Sequence, residues 1–317
     1  MRKFILTILG YALIICFIVV CVNRGYKSLV HDEATKFENV PEKIQICNLG
    51  SSHGLYGYNY EKICDEYTCF NFGLESQYLS YDYRILTNYQ NRLKDDTVVF
   101  ITVSYFSFFG EAETEEDNFD SKNQRYYKFL PRELIKQYDW STDFYAAKCP
   151  ALADYETLIR VFLGQGRETM DLWWEQTVEQ DKAEGGARAA YCRHVVEGKV
   201  DAEGKRIYNW EEIEALYDII ALCKEHDAVP VLVTTPYLEE YTKAIQEGSP
   251  DFYADFYDVI DQITGDTNTL YYDYAFDKRF SHEYSLFLDS DHLNKEGAAV
   301  FVDILMEEVV SDILNAQ

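Results

Sequence analysis

The sequence is poor in positive charge and in cysteine. Its 317 residues include 29 Lys and Arg against 55 Asp and Glu, which gives a net charge of −26 at neutral pH. Affinity for a nucleic acid comes mainly from Lys and Arg, so the charge excludes a nucleic-acid partner of the phosphate-tracking kind. Eight cysteines in a chain of this length are too few for a fold held by disulfides, although Cys64 and Cys69 are close enough in sequence to pair in an oxidising compartment.

Several motifs of cofactor-binding proteins are also missing. We find no internal repeat, no low-complexity tract, no phosphate-binding glycine loop and no dinucleotide fingerprint, so no cofactor is predicted. Asp289, Asp291 and His292 are three closely spaced donors, which alone rarely form a tight metal site, and no metal is predicted. Solvated or structural roles are expected for the histidines that lack metal-ligand spacing, which are His31, His194, His226 and His282.

What the sequence does contain is typical of a folded protein. The apolar share is 47%, which is too high for a disordered chain, and the length allows one large domain or two small ones. The 27 tyrosines are expected as half-buried aromatics at the surface, with stacking on sugar rings as the alternative.

One apolar run stands out at the N-terminus. Residues 4–22 contain no charge, and as a helix these 19 residues span about 28 Å, close to the thickness of a bilayer core. A small-x-small cleavage site is not evident, which favours an uncleaved signal anchor over residues 1–23 rather than a removed signal peptide. Cys21 suggests a lipoprotein site, but Val20 before it is not small, and a buried core helix fits poorly at this position.

The flanking charges leave the orientation of this anchor nearly tied. Arg2 and Lys3 precede the run, and Arg24 and Lys27 follow it. Because an apolar segment this early acts as an export signal, we expect a cytoplasmic N-terminus, a single membrane pass through residues 4–22 and an extracytoplasmic domain. Residues 24–42 are expected to form a polar stalk.

The remainder, residues 43–317, alternates between strand and helix patterns. Predicted helices separate five apolar or alternating segments that predict strands, at 43–49, 68–72, 97–104, 229–235 and 269–273. This alternation predicts an α/β fold, with a parallel sheet flanked by helices in a flavodoxin-like three-layer sandwich. Residues from about 106 to 208 lack the pattern and are expected to be an insertion of helices and loops rather than a second independent domain.

Two short segments could carry chemistry. Ser52 follows the first strand and Gly50, and lies at the start of a predicted helix, where backbone N–H groups can stabilise an oxyanion. Asp289 and His292 lie just before the last helix, and a serine nucleophile needs such a base and a carboxylate to orient it. The simpler interpretation is that Ser51 or Ser52 only caps the helix.

Two neighbours of these residues have lesser expected roles. His53 adjoins Ser52 and is a candidate for lining the site, although adjacent residues usually point to different sides. Asp291 is expected to be a capping or solvated residue.

These segments resemble the SGNH (GDSL-type) hydrolase superfamily. Gly50-Ser51-Ser52 matches its nucleophile block, and Asp289-Ser290-Asp291-His292 matches the block with the orienting acid and the base. The resemblance implies Ser52 as nucleophile, His292 as base and Asp289 as its orienting acid. It also implies backbone donors at Ser52 and Gly73 for the oxyanion. Where the family normally has an asparagine as third donor, this chain has Ser104, which is the candidate replacement.

The membrane-tethered layout resembles a subgroup, the single-anchor proteins of D-alanyl-lipoteichoic acid and alginate O-acetylation systems. The resemblance implies a serine esterase or O-acyltransferase that acts on cell-envelope polysaccharide or another ester, beside a membrane-bound O-acyltransferase. A different class stays open, namely a non-catalytic tethered binding or scaffold protein on a degenerate SGNH fold, because the asparagine is missing and the insertion is large.

Overall fold

The computed structural model describes residues 1–111, 121–164 and 174–315. Its contacts divide the chain into two compact units. Unit 1 consists of Met1–Glu38 and Thr114–Met170, and unit 2 consists of Asn39–Glu113 and Asp171–Gln317.

Unit 2 is built on a five-stranded sheet. Its strands are β1 (Ile44–Leu49), β2 (Cys69–Asn71), β3 (Leu93–Thr102), β4 (Val229–Thr234) and β5 (Leu270–Asp273). They lie in the order β2-β1-β3-β4-β5, and each neighbouring pair is parallel. This is the flavodoxin-like doubly wound order, in which side chains at the carboxyl ends of the strands meet along one edge.

Both faces of the sheet are covered. Val98 and Phe100 pack in one core cluster with Phe301 of the last long helix. Val99 and Ile101 point to the opposite face, because successive side chains in a strand alternate, and they are equally buried. This double burial explains why β3 is a continuous apolar run rather than an alternating one.

The helices of unit 2 follow the strands in sequence. They are α2 (Ser52–Gly57), α3 (Leu79–Tyr89), α8 (Gln180–Tyr191), α9 (Trp210–Glu225), α10 (Glu239–Gly248), α11 (Phe252–Thr267), α12 (Lys295–Leu305) and α13 (Ser311–Asn315). Two of them begin with an asparagine cap. Asn209 accepts a hydrogen bond from the Glu212 N–H, and Asn294 accepts one from the Gly297 N–H at 2.9 Å.

Unit 1 contains the long N-terminal helix α1 (Arg2–Leu29) and several short helices. The short helices are α4 (Ser121–Gln124), α5 (Trp140–Asp143), α6 (Pro150–Ala153) and α7 (Tyr155–Phe162). Within the described ranges, α1 is the one helix that is long and apolar enough to cross a membrane; the mean hydropathy of its most apolar window is 3.0, and none of that window is buried in protein.

The structure confirms the predicted fold class and the five predicted strands. Cys47 and Cys223 are buried, and Cys64 and Cys69 are free thiols.

Some boundaries differ from the prediction. The segment expected to be a stalk continues α1 to Leu29 and then forms a 3-10 helix at Glu33–Asn39. Residues 171–208 belong to unit 2 and not to the same unit as 121–164. Two parts of the expected insertion, residues 112–120 and 165–173, lie outside the described residues.

Candidate active site

Ser52 is placed by a tight turn at the carboxyl end of β1. Gly50 has φ +131°, and a Cβ there would lie 2.7 Å from the Thr102 Cβ, so only glycine fits. The turn delivers Ser52 to the first position of α2. Ser51 occupies the cap position, but its side chain makes no capping hydrogen bond. Ser51 therefore does not cap α2 through its hydroxyl.

Two asparagine side chains hold this turn against the sheet. Asn48 Nδ2 donates to the Gly54 carbonyl at 2.8 Å, and Asn71 Nδ2 donates to the Leu55 carbonyl at 2.9 Å. Because both asparagines lie at the ends of strands, they fix the short helix α2 relative to the sheet.

Ser52, His292 and Asp289 form one hydrogen-bonded chain. Ser52 Oγ lies 2.8 Å from His292 Nε2, and His292 Nδ1 lies 3.0 Å from both carboxylate oxygens of Asp289. These are the distances expected for a nucleophile, its base and an orienting acid. Asp289 Oδ1 also accepts the His292 backbone N–H at 2.9 Å, so the two side chains belong to one rigid turn.

The surroundings of His292 favour its charged form. Burial lowers the pKa of its imidazole, but the negative charges of Asp289 and Asp291 and the hydrogen bond to Asp289 outweigh burial and raise the pKa to about 9. At neutral pH the imidazole is therefore mostly protonated and must lose its proton before it can accept one from Ser52.

A second group of polar residues lies directly behind this chain. Asp291 Oδ2 is 3.2 Å from His53 Nε2, 3.6 Å from His194 Nδ1 and 3.7 Å from His292 Nδ1, so one buried oxygen faces three imidazoles. Asp291 was expected to be capping or solvated, and that expectation is wrong, because its side chain is only 4% exposed.

Hydroxyl groups complete this second group. His53 Nδ1 is 2.7 Å from Ser104 Oγ and 3.1 Å from the Tyr237 hydroxyl, and His194 Nδ1 is 3.1 Å from the Tyr241 hydroxyl. We call Asp291, His53 and His194, with these three hydroxyls, the inner network.

The pKa shifts in the inner network follow from burial. Burial lowers the pKa of His53, and it lowers that of His194 to about 3, so both rings are neutral at physiological pH. Burial alone would raise the pKa of Asp291, but the charge on His292 and the contacts with His53 and His194 hold it well below its usual range. Asp291 is therefore a buried carboxylate whose charge is compensated mainly by His292.

Two of the predicted oxyanion donors have other partners in the structure. Ser104 is fully buried and its hydroxyl contacts His53, so it belongs to the inner network and offers no surface to a substrate. The Gly73 N–H donates to Asn71 Oδ1 at 2.9 Å and is engaged in this state. Glycine is needed at position 73 because a Cβ would lie 2.6 Å from the Leu55 backbone nitrogen. For the third predicted donor, the Ser52 N–H, the described residues supply no acceptor.

The same residues include possible metal ligands. His53, Asp291 and His292 present donor atoms that all lie within 4.8 Å of one another. In the structure these atoms bond to each other, to Asp289 and to Ser52, so a cation would have to displace part of the hydrogen-bonded chain.

Sequence patterns pointed to Ser52, His292 and Asp289 and missed most of the inner network. His53 was a candidate for lining the site, and the structure buries it behind His292, with ring centroids 4.7 Å apart. His194 comes from a segment without any recognisable motif, and the spacing to His292 already fitted Asp289, so the pattern gave Asp291 no role in the site.

No family model and no curated protein matches the sequence. Among solved structures, the chain is similar to a Bacteroides fragilis protein described as an acylhydrolase, with a TM-score of 0.40 and 10% identity over 90% of this chain and 100% of the other. It is also similar to a mutant of a Geobacillus acetyl-xylooligosaccharide esterase, with a TM-score of 0.36 and 12% identity over 85% and 95% of the two chains. Likeness at this level carries no argument about activity.

Proposed function

We propose that this protein is a membrane-anchored, extracytoplasmic serine esterase or O-acyltransferase of the SGNH type that acts on cell-envelope polysaccharide. The observation that carries the proposal is the contact of 2.8 Å between Ser52 Oγ and His292 Nε2, with Asp289 behind the imidazole. A serine with its hydroxyl bonded to an oriented histidine, at the carboxyl end of a parallel strand, has the arrangement of an acyl-transfer nucleophile.

The first half-reaction transfers an acyl group to the enzyme. Ser52 Oγ attacks the ester carbonyl carbon while His292 Nε2 takes the hydroxyl proton, and the carbonyl oxygen becomes an oxyanion next to the Ser52 N–H. The intermediate collapses when the carbon–oxygen bond to the leaving alcohol breaks, and that alcohol takes the proton from His292. Asp289 stabilises the imidazolium throughout.

The second half-reaction removes the acyl group from Ser52. His292 takes a proton from water or from a sugar hydroxyl, whose oxygen attacks the acyl carbon, and Ser52 leaves with the proton that His292 returns. Water yields a carboxylic acid and a sugar yields a new ester. The net charge of −26 favours a neutral or partly esterified glycan over a bare anionic polymer. A membrane-bound O-acyltransferase is the proposed partner.

A fluorophosphonate probe tests the nucleophile. We expect the full chain in detergent to be labelled on Ser52, and Ser52→Ala to lose the label. Ser51→Ala is the matched control, because Ser51 is adjacent and its buried hydroxyl has no bonding partner in the described structure. Equal labelling of Ser52→Ala and the unmodified chain would overturn the proposal.

One observation favours the alternative of a non-catalytic binding or scaffold protein. Two of the three predicted oxyanion donors, Gly73 and Ser104, are engaged with other residues. Because His292 is mostly protonated at neutral pH, the probe should be applied at pH 7 and at pH 9. Absence of labelling at both values supports the scaffold, and labelling that increases at pH 9 supports the enzyme.

Orientation is tested with a membrane-impermeant maleimide on intact cells. Cys192 and Cys64 are exposed in unit 2, whereas Cys223 is buried there and serves as the unreactive reference. We expect labelling of intact cells that disappears in the Cys64→Ser/Cys192→Ser variant. Labelling that requires permeabilised cells places unit 2 in the cytoplasm and removes the envelope function.

A further inference from the structure

Unit 1 carries an apolar stripe that the described part of the chain leaves exposed. On α7, Tyr155, Ile159 and Phe162 follow one another at intervals of four and three residues, which places them on one side of the helix. Leu152 precedes them and Leu163 follows them. The exposed fractions of these five side chains range from 47% to 74%. We call Leu152, Tyr155, Ile159, Phe162 and Leu163 the apolar stripe.

The stripe begins where α1 changes from apolar to polar. Asn23 Nδ2 donates to the Lys148 carbonyl, Lys27 Nζ donates to the Ala147 carbonyl, and the Tyr26 hydroxyl donates to Asp154, each at 2.7 Å. These three residues follow directly after the uncharged run that ends at residue 22.

The three hydrogen bonds of Asn23, Tyr26 and Lys27 place the start of the stripe beside residues 23–27 of α1. Residues 23 to 27 span about 6 Å of helix axis, which is within the depth of the interfacial zone of a bilayer. Asp154, which accepts the bond from Tyr26, adjoins the first residue of α7. If residues 4–22 span the membrane, as the proposed function holds, the segment bonded to residues 23–27 lies at the membrane surface.

We propose that the apolar stripe is a second membrane contact, which inserts between the lipid headgroups of the leaflet where α1 emerges. The proposal rests on the membrane anchoring in the proposed function. Aromatic and aliphatic side chains on one side of a helix, with charged residues such as Glu156 and Arg160 elsewhere on its surface, are the composition of a helix that lies in the interface. A lipid surface is favoured over a protein partner because the stripe is continuous, through the three bonds above, with the segment that leaves the bilayer.

The test places a photocrosslinker on the helix in the full chain, reconstituted in nanodiscs of phosphatidylcholine and phosphatidylglycerol. Phe162→benzoylphenylalanine exchanges one aromatic residue for another, and Arg160→benzoylphenylalanine is the matched control, two residues away on a different side of α7. We expect about tenfold more lipid adduct from position 162 than from position 160, because only a stripe residue reaches the acyl chains. Ile159→benzoylphenylalanine repeats the measurement if the first variant is poorly produced.

Several results overturn the proposal. Equal lipid adducts at positions 162 and 160, or adducts at 162 only with the chain itself, show that the stripe does not enter the lipid. The same variants are irradiated in cells, where adducts at 162 with another protein and none with lipid assign the stripe to a protein partner. Failure of the proposed anchoring is distinguishable, since the full chain would then not float with liposomes at all.

Discussion

Unit 2 contains two histidine–carboxylate pairs a few ångströms apart, and they differ in almost every property. His292 and Asp289 are bonded at 3.0 Å, the Asp289 side chain is 42% exposed, and the pKa of His292 is raised to about 9. His53 and Asp291 are bonded at 3.2 Å, both are buried, and burial lowers the pKa of His53. The same residue types thus give a charged imidazole in contact with the serine and a neutral imidazole behind it.

The difference shows that access and neighbouring charge decide the role of each pair. His292 contacts Ser52 and its side chain is 11% exposed, so we assign to it the proton exchange of the proposed reaction. His53 shares its single carboxylate with His194 and His292 and bonds otherwise to hydroxyls, so we assign it to positioning. We expect activity to follow this division.

The largest expected effect comes from the two histidines. His292→Gln removes the proposed base and should lower the proposed esterase activity by roughly 10⁴- to 10⁶-fold. His53→Gln keeps polar atoms near Ser104 and Asp291 and should cost only about 10- to 100-fold, through misplacement of His292. The rates of both variants on an activated ester, with the rate of Ser52→Ala as the background, give this ranking. A reversed ranking would assign the base to His53 and break the comparison.

The substitutions of the two carboxylates should rank in the same order as those of the two histidines, with the larger loss of activity at Asp289. Asp289→Asn leaves the imidazolium without its bonded partner and should cost about 10³- to 10⁴-fold in kcat. Asp291→Asn removes a charge 3.7 Å from the ring, and we expect a loss of about tenfold. Each substitution removes a negative charge that raises the pKa of His292, so the rising limb of the pH–rate profile should move to lower pH, further for Asp289. A larger loss in Asp291→Asn contradicts the assignment of Asp289 as the orienting acid.

The pH dependence of the unmodified protein tests the charge on His292. A general base works in its deprotonated form, so kcat/KM should rise with pH and reach half of its plateau near the pKa of His292, at about pH 9. Stopped assays from pH 6 to 10 measure this limb. A plateau already reached near pH 7 shows that His292 keeps its ordinary pKa and that the two carboxylates do not act on it together.

A third carboxylate sharpens the comparison, with a smaller effect. Asp82 is as buried as Asp291, but its hydrogen bonds come from the Gly50 N–H and Gln77 rather than from histidines. Burial raises the pKa of Asp82 to about 8. The two hydrogen bonds lower this pKa and the charge of Glu212 raises it, but both effects are smaller than that of burial. The folded state therefore keeps Asp82 protonated, and its contribution to stability is complete below about pH 4 and is lost as the pH rises to about 8.

Asp82→Asn is neutral at every pH and should escape that loss. We expect the variant and the unmodified protein to unfold at similar temperatures near pH 4, and the variant to be the more stable at pH 8 and above. Thermal unfolding at both values in the same detergent is the measurement. A stability difference that does not change between the two values shows that Asp82 does not titrate on folding.

The sequence was sufficient to predict the sheet and to place Ser52, Asp289 and His292 at the same edge of it. Each strand is a short apolar or β-branched segment bounded by turn residues, and the alternation with helices restricts the topology to few orders. Ser52, Asp289 and His292 were found because each lies next to an element end, where side chains of distant segments converge.

The rest depends on packing that no local pattern encodes. His53 points behind His292 because Gly50 sets the direction of the turn before α2, and the backbone torsion of one glycine cannot be foreseen from composition. Asp291 and Asp289 carry the same side chain two residues apart, and only packing buries the first and leaves the second 42% exposed. Gly73 and Ser104 are predicted as oxyanion donors from their positions in the sequence alone. The structure shows that their polar groups already have partners.

The most direct test of the central claim is the covalent intermediate. The full chain is mixed with an activated acetyl ester at pH 9, quenched within one turnover and mapped by peptide mass spectrometry. We predict an added acetyl group on Ser52 in the unmodified protein, none in Ser52→Ala, and slow accumulation in His292→Gln. Turnover with no acyl group on Ser52, or with the group on another residue, would contradict the account.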